Sequence, residues 1–191
     1  MRLFGNKTES NTDVVSILRE DHEKVKELFE QFEEAEDKRT KQHIVDEALK
    51  ALTVHAQVEE EIFYPAFREA YADDEETEDQ MDEALQEHHV AKILIAELED
   101  MSPGEEFYDA KFTVLAESVK HHIEEEESEI FPKIDEDDPT WTDVGERLRA
   151  RRQHLMQGGR TKATENGGGR NKQAASKNRP STRKAAVSRR K

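Results

Sequence analysis

Residues 55–65 read HAQVEEEIFYP and residues 122–132 read HIEEEESEIFP. Each begins with a His, has Glu four and five positions later, an aromatic at the ninth and Pro at the tenth. The two sets are His55, Glu59, Glu60, Tyr64, Pro65 and His122, Glu126, Glu127, Phe131, Pro132. On a helix, positions four apart share a face one turn along, so each copy presents an imidazole beside a carboxylate. Mixed imidazole and carboxylate donors suit iron, manganese or zinc, and a carboxylate can bridge two ions. A solvated acidic face would explain the glutamates but not their repetition. Two more histidines, His22 and His88, lie upstream, and the positions 22, 55, 88 and 122 are 33, 33 and 34 residues apart.

Such even spacing puts side chains at one height when successive helices run antiparallel, because one helix plus one turn returns the chain to the same level. The apolar pattern supplies the helices. Val14, Leu18, Val25, Phe29 and Phe32 form one stripe containing His22, with Asn11 or Thr12 as its cap. Ile44, Ala48, Ala51, Leu52, Val58 and Ile62 form a second with His55 and Glu59, which Pro65 should kink or end. Met81, Ala84, Leu85, Ala91, Ile95 and Leu98 carry His88, and Phe112, Leu115, Val119 and Ile130 carry His122 and Glu126. Ser102, Pro103 and Glu105 read as a capping box opening the fourth helix, and Pro132 should end it. Asp138 and Pro139 start a short fifth helix, with Trp141, Val144 and Leu148 to pack it. The expected fold is all-α: an up-down-up-down four-helix bundle over residues 12–156 with that C-terminal addition.

In such a bundle, Glu59 and Glu126 fall among apolar side chains. Each would cost several kcal/mol to bury unless paired or bound to a cation. Lys92 alone among Lys and Arg shares these stripes, and it can sit over the centre or reach outward. A pair of metal ions removes the penalty. His89 follows His88 but projects about 100° away, so His88, on the more continuous stripe, is the expected ligand and His89 its alternative. His121 points off the His122 stripe. Glu60 and Glu127 can hydrogen-bond a ligand imidazole or face solvent, Tyr64 and Phe131 read as packing residues, and His43 and His154 as surface residues.

Asp21 with His22, His55 with its glutamates and FYP, EHH at 87–89, and the His, Glu, IFP pattern to residue 132 together resemble the hemerythrin family, in its HHE cation-binding branch. The resemblance covers about residues 12–135. It implies a non-haem diiron centre with oxo- or hydroxo-bridged irons, His22, His55, His88 and His122 as terminal ligands, and Glu59 and Glu126 as bridges, manganese or zinc being the lesser alternatives. It further implies O2, peroxide or nitric oxide as small ligands, in sensing, scavenging or iron handling. The oxygen-carrying hemerythrins use a fifth His, four positions after another on the third helix, and an Asp bridge. Here those positions hold Lys92 or Ile93, and Glu126, so simple oxygen carriage is not what the resemblance implies. A ferritin-like diiron oxidase would need Glu three positions before a His, which no His in this chain has.

Charge is unevenly spread within the net −16. Residues 147–191 hold 15 Lys/Arg and one acid, Glu165, whereas residues 1–146 hold 14 Lys/Arg against 44 Asp/Glu. Residues 157–191, almost free of large apolar side chains, are expected to be a disordered basic tail, and residues 1–11 a flexible N-terminus. That tail can bind nucleic acid or another polyanion without sequence specificity, or fold back on the acidic body. It gives the alternative of a nucleic-acid-associated stress protein with a structural or regulatory metal site. There is no Cys, no apolar run of signal-peptide length and no segment approaching the roughly 18 apolar residues of a membrane span. The reading is a cytoplasmic monomer or weak oligomer without a dedicated enzymatic apparatus; peroxide decomposition is compatible with it but not readable from the ligands.

Overall fold

The structure, a computed structural model, describes residues 13–135 and 138–158. The expectations for the N-terminus and for the basic tail beyond residue 158 lie outside the described residues. Helix α1 (Val14–Glu34) is capped by Asp13, whose carboxylate accepts from the N–H groups of Val15 and Ser16. The cap is therefore one or two residues later than expected, on a full negative charge that suits the positive end of the helix. Asp37 caps α2 (Lys38–Val58) and Asp74 caps α4 (Glu75–Glu99), with α3 (Tyr64–Ala70) between them. Helices α5 (Tyr108–Glu125) and α6 (Pro139–Met156) complete the chain. Asp138 and Pro139 open α6 as expected.

Two sequence expectations are corrected. Glu105 does accept the Ser102 N–H, but this closes a tight turn, and α5 begins only at Tyr108. Gly104 and Phe107 in between adopt φ of +91° and +69°, which takes the backbone out of the right-handed helical region. Pro65 does not end its helix. Residues Glu59–Phe63 form a single π turn in which the Tyr64 N–H reaches back five residues to the Glu59 carbonyl, and the chain stays helical to Ala70. The wider turn moves the backbone away from the clash that a proline ring otherwise makes with the carbonyl four residues earlier. The second copy repeats the device: Glu126–Ile130 is a π turn closed by the Phe131 N–H on the Glu126 carbonyl. There Pro132 ends the helix, as expected, after one 3-10 turn at Phe131–Lys133.

Helix α1 packs against α2 and α5, α2 against α4, and α4 against α5, closing an up-down-up-down bundle; α6 lies across α1 and α2. Its Trp141, Val144 and Leu148 are buried, with the indole about 6 Å from the rings of Phe63 and Phe67. The buried apolar side chains fall into two clusters. One joins the start of α1 (Val14, Leu18) to Phe63, Phe67, Met81, Phe131 and Trp141, and the other joins Phe29, Leu49, Leu98, Phe112 and Leu115 at the opposite end. The layer between them is polar. Among the described residues no helix is long and apolar enough to cross a membrane.

Candidate metal centre

The dividing layer is made of His22, His55, Glu59, His88, His122 and Glu126, none more than 5% exposed. The structure thus brings together all six residues that the sequence singled out. Each helical rod contributes at the same level, and the two glutamates enter through the first residues of the two π turns. His89 and His121 face solvent, as do His43 and His154.

All four Nε2 atoms point into the layer. His55 Nε2 is 3.1 Å from Glu59 Oε1, and His88 Nε2 is 3.4 Å from Glu59 Oε2. Glu126 Oε2 lies 3.2 Å from His22 Nε2 and 3.7 Å from His122 Nε2. Glu59 therefore spans the layer with one oxygen on each side. Donor atoms group accordingly into two sets: His22, His55, Glu59 and Glu126 in one, and Glu59, His88 and His122 in the other.

All four Nδ1 atoms point outward to carboxylates. His22 meets Glu127 at 2.9 Å, His88 meets Glu60 at 3.0 Å, His122 meets Glu87 at 2.7 Å, and His55 faces Asp21 at 3.7 Å. The pattern has an internal two-fold relation. The Glu after each π-turn glutamate serves the His of the other hairpin, and the acid before His22 or His88 serves the next helix. This relation places His88, not His89, in the layer. An ionised carboxylate only accepts, so the three hydrogen bonds to His22, His88 and His122 keep a proton on Nδ1 and leave Nε2 free to bind a cation, whereas Asp21 faces His55 without bonding it.

Several inward atoms make no hydrogen bond within the protein. His22 Nε2, His55 Nε2, both Glu59 oxygens and Glu126 Oε2 are buried without a hydrogen-bond partner. His88 Nε2 and His122 Nε2 lie 3.1 Å apart, and with both protons held on Nδ1 their lone pairs face each other. Two nitrogen ligands at about 2.1 Å from one ion and at right angles to each other are about 3 Å apart. A layer of unsatisfied ligand atoms at this separation fits metal ions, which would offset its desolvation.

Protonation is the alternative way to neutralise the layer. Burial lowers the His88 imidazole, but the Glu59 and Glu60 carboxylates outweigh it and carry His88 from 6.5 to about 9. His22 and His122 rise for the same reasons, with Glu126 the leading carboxylate for both. Burial raises Glu126, and the surrounding imidazoles, His122 first, overcome it and hold it well below the usual carboxylate range. Glu60 is held at about 2, chiefly by its bond to His88.

Some functional positions were not legible as such. Tyr64, read as packing, places its Oη 2.9 Å from Glu126 Oε1 and 3.3 and 3.4 Å from Nε2 of His88 and His122. Its counterpart Phe131 does pack, lying parallel to the His22 ring with centroids 5.6 Å apart. Burial first, then the Glu126 and Glu59 charges, push the Tyr64 phenol well above its ordinary range, so Tyr64 keeps its proton. Lys92 neither covers the centre nor stands free: its Nζ pairs with both Glu60 oxygens, at 2.5 and 2.6 Å. Asp21 is held by Arg152 of α6 at 2.5 Å, and Glu127 by Arg19 and Lys26.

A family model described as the hemerythrin HHE cation-binding domain matches residues 13–134. A crystal structure of a hemerythrin HHE cation-binding domain-containing protein from Mycobacterium kansasii superimposes with a TM-score of 0.64. It is 23% identical and aligns over 78% of this chain and 93% of that one. A protein of Nostoc sp. named DNA nickase is 30% identical over 122 residues, which is 64% of this chain. The matched stretch spans about a third (33%) of that relative's length.

Proposed function

The chain belongs to the hemerythrin HHE cation-binding family, and from that premise we propose that its buried layer holds two non-haem irons and binds O2, peroxide or nitric oxide. The observation that carries this reading is the convergence of four Nε2 atoms and two carboxylates, five of those donor atoms having no partner in the protein. His22 and His55 would serve one iron and His88 and His122 the other, with Glu59 and Glu126 shared between them. Loaded, the pair would supply an open coordination position for a diatomic or peroxide.

The chain's own residues do the rest. Asp21, Glu60, Glu87 and Glu127 fix the imidazole orientation, and each exchange of such a carboxylate is worth about 10–100-fold in metal affinity. Tyr64 holds a proton on Oη next to Glu126 and beside the space where a small ligand would sit. The two apolar clusters close the layer above and below and keep bulk water from it. Sensing, scavenging and iron handling share this apparatus. Elemental analysis of the purified chain should give two irons per chain, and exposure to nitric oxide, peroxide or O2 should change its visible absorption. Less than one bound ion would overturn the reading, and two manganese or zinc ions would reassign the metal.

The likeness to the DNA nickase of Nostoc, together with the 15 Lys/Arg of residues 147–191, favours a second reading in which the chain also associates with nucleic acid. Binding should then fall steeply with salt and vanish on deletion of residues 158–191. Binding that survives the deletion would refute a role for the tail.

A further inference from the structure

Three of the four carboxylates that hold the outward Nδ1 atoms are neutralised from outside: Asp21 by Arg152, Glu60 by Lys92, and Glu127 by Arg19 and Lys26. Glu87, the fourth, has no Lys or Arg within ion-pairing distance among the described residues. The internal two-fold explains why. Asp21 and Glu87 occupy equivalent positions, but α6 lies over α1 and α2 and brings Arg152 to Asp21, and the described chain lays no seventh helix over α4 and α5. At Glu87 the second shell of the centre is therefore open.

A narrow cleft between α4 and α5 begins there. Glu83, Glu87, Glu125 and Glu129 line its outer part, and buried His122 and Glu126 its inner part. Its volume, about 30 Å³, admits a water or a single small ion and no organic molecule. No Lys or Arg lines it. Glu126, 1% exposed, has an Oε2 with no hydrogen-bond partner, so the passage ends on an unsatisfied buried ligand atom.

At the mouth, one donor atom from each of Glu87, His121 and Glu125 lies within 4.8 Å of the others, close enough to share one ion. His121 and Glu125 are one turn apart on α5, with His121 Nε2 3.2 Å from Glu125 Oε1. Four carboxylates, Glu83, Glu87, Glu125 and Glu129, thus line a cleft that no Lys or Arg lines with them. Two glutamates and an imidazole suit a borderline divalent ion better than Ca2+ or Mg2+, which prefer oxygen alone.

We propose that Glu87, His121 and Glu125 form an outer divalent-cation site at the mouth of this cleft, through which metal ions reach the buried centre. The proposal rests on the metal-centre reading above and adds the path by which the centre is filled. A funnel of one sign with low-dielectric walls raises the capture rate of a counter-ion by about 10–1,000-fold. Glu87 hands on to the centre directly, since it touches both the outer cluster and His122 Nδ1.

The test pairs two measurements. In the Glu59→Ala, Glu126→Ala chain, whose centre is disabled, electron paramagnetic resonance of added Mn2+ should show one ion held per chain. His121→Ala, Glu125→Gln added to that background should release it; no saturable Mn2+ site overturns the proposal. In the otherwise intact chain, the same His121→Ala, Glu125→Gln pair should slow Co2+ uptake, followed by its visible absorption, by tenfold or more. The final two ions per chain should be unchanged, because Glu87 is kept and His122 stays oriented. An uptake rate equal to that of the unaltered chain overturns the route. If the unaltered chain takes up no Co2+, the metal-centre reading fails, and the Mn2+ measurement still decides the outer site.

Discussion

A chain carrying Glu59→Ala is expected to lose both metal ions, whereas His22→Ala is expected to lose one. Glu59 is common to both donor sets, with Oε1 3.1 Å from His55 and Oε2 3.4 Å from His88. With Glu126 shared as proposed, removal of Glu59 cuts each half from four donors to three, two imidazoles and Glu126. Each half then falls short of the ligand number that holds a divalent ion against water, and affinity should drop by about 100-fold or more, beyond what loss of an orienting carboxylate costs. His22→Ala leaves His88, His122 and both shared carboxylates, four donors, as they are, so that half keeps its ion. Elemental analysis after desalting reads the two outcomes as zero and one ion per chain. Helicity should survive in both, because the imidazoles facing Glu59 can shed their protons once it is gone. Two ions retained by Glu59→Ala, or none by His22→Ala, would show that Glu59 does not join the halves.

The second large effect is a divergence with pH between the metal-free and the loaded chain. His88, His22 and His122 all hold protons more tightly in the folded chain than their ordinary 6.5. A group raised on folding contributes stability that is complete below the unfolded value and is lost as pH rises through the folded one. For His88 that window runs from 6.5 to about 9, worth about 3 kcal/mol at about 1.4 kcal/mol per pH unit. Glu60, held at about 2, is the other half of the same pair, so its contribution is not added again. Its share appears above the usual carboxylate range and is lost only as pH falls toward 2.

Metal binding has the opposite sign, because a ligand imidazole must be neutral and loading expels these protons. Between pH 6 and pH 9 the metal-free melting temperature should fall by about 6–12 °C from His88 alone, at about 2–4 °C per kcal/mol. The loaded chain should hold steady, so the gap widens. Parallel melts with chelator and with added Zn2+ measure it. A gap that stays constant or narrows would mean that the imidazoles are not the groups exchanging protons for metal.

The six buried residues were legible because periodicity is a one-dimensional signal: 33-residue spacing and an i, i+4 pair survive in the sequence alone. Of the carboxylates behind them, Glu60 and Glu127 were legible as able to bond a ligand imidazole but not which one, because each serves a histidine on another helix. Glu60 reaches His88 and Glu127 reaches His22 across more than 25 residues of sequence. Tyr64 and Phe131 occupy matching positions, and only the three-dimensional register separates a phenol aimed at Glu126 from a ring stacked on His22. The π turns were hidden for a different reason. Pro65 carries a local stop signal, and the pull of Glu59 into a shared layer overrides it. At Ser102 the capping motif was present, but Gly104 and Phe107 spend it on a turn.

The polar layer that parts the two apolar clusters is also a seam in the mechanics of the chain. Each cluster has its own aromatic and aliphatic contacts, and without metal the ends communicate through continuous helices and through ion pairs between charged imidazoles and carboxylates. Sub-global opening follows such lines of weaker cohesion. Two ions gripped by all four rods, as proposed, would convert the seam into a crosslink at mid-height. Loss of metal would then change the cooperativity of the whole molecule: the loaded chain is expected to open as one unit, and the empty chain end by end.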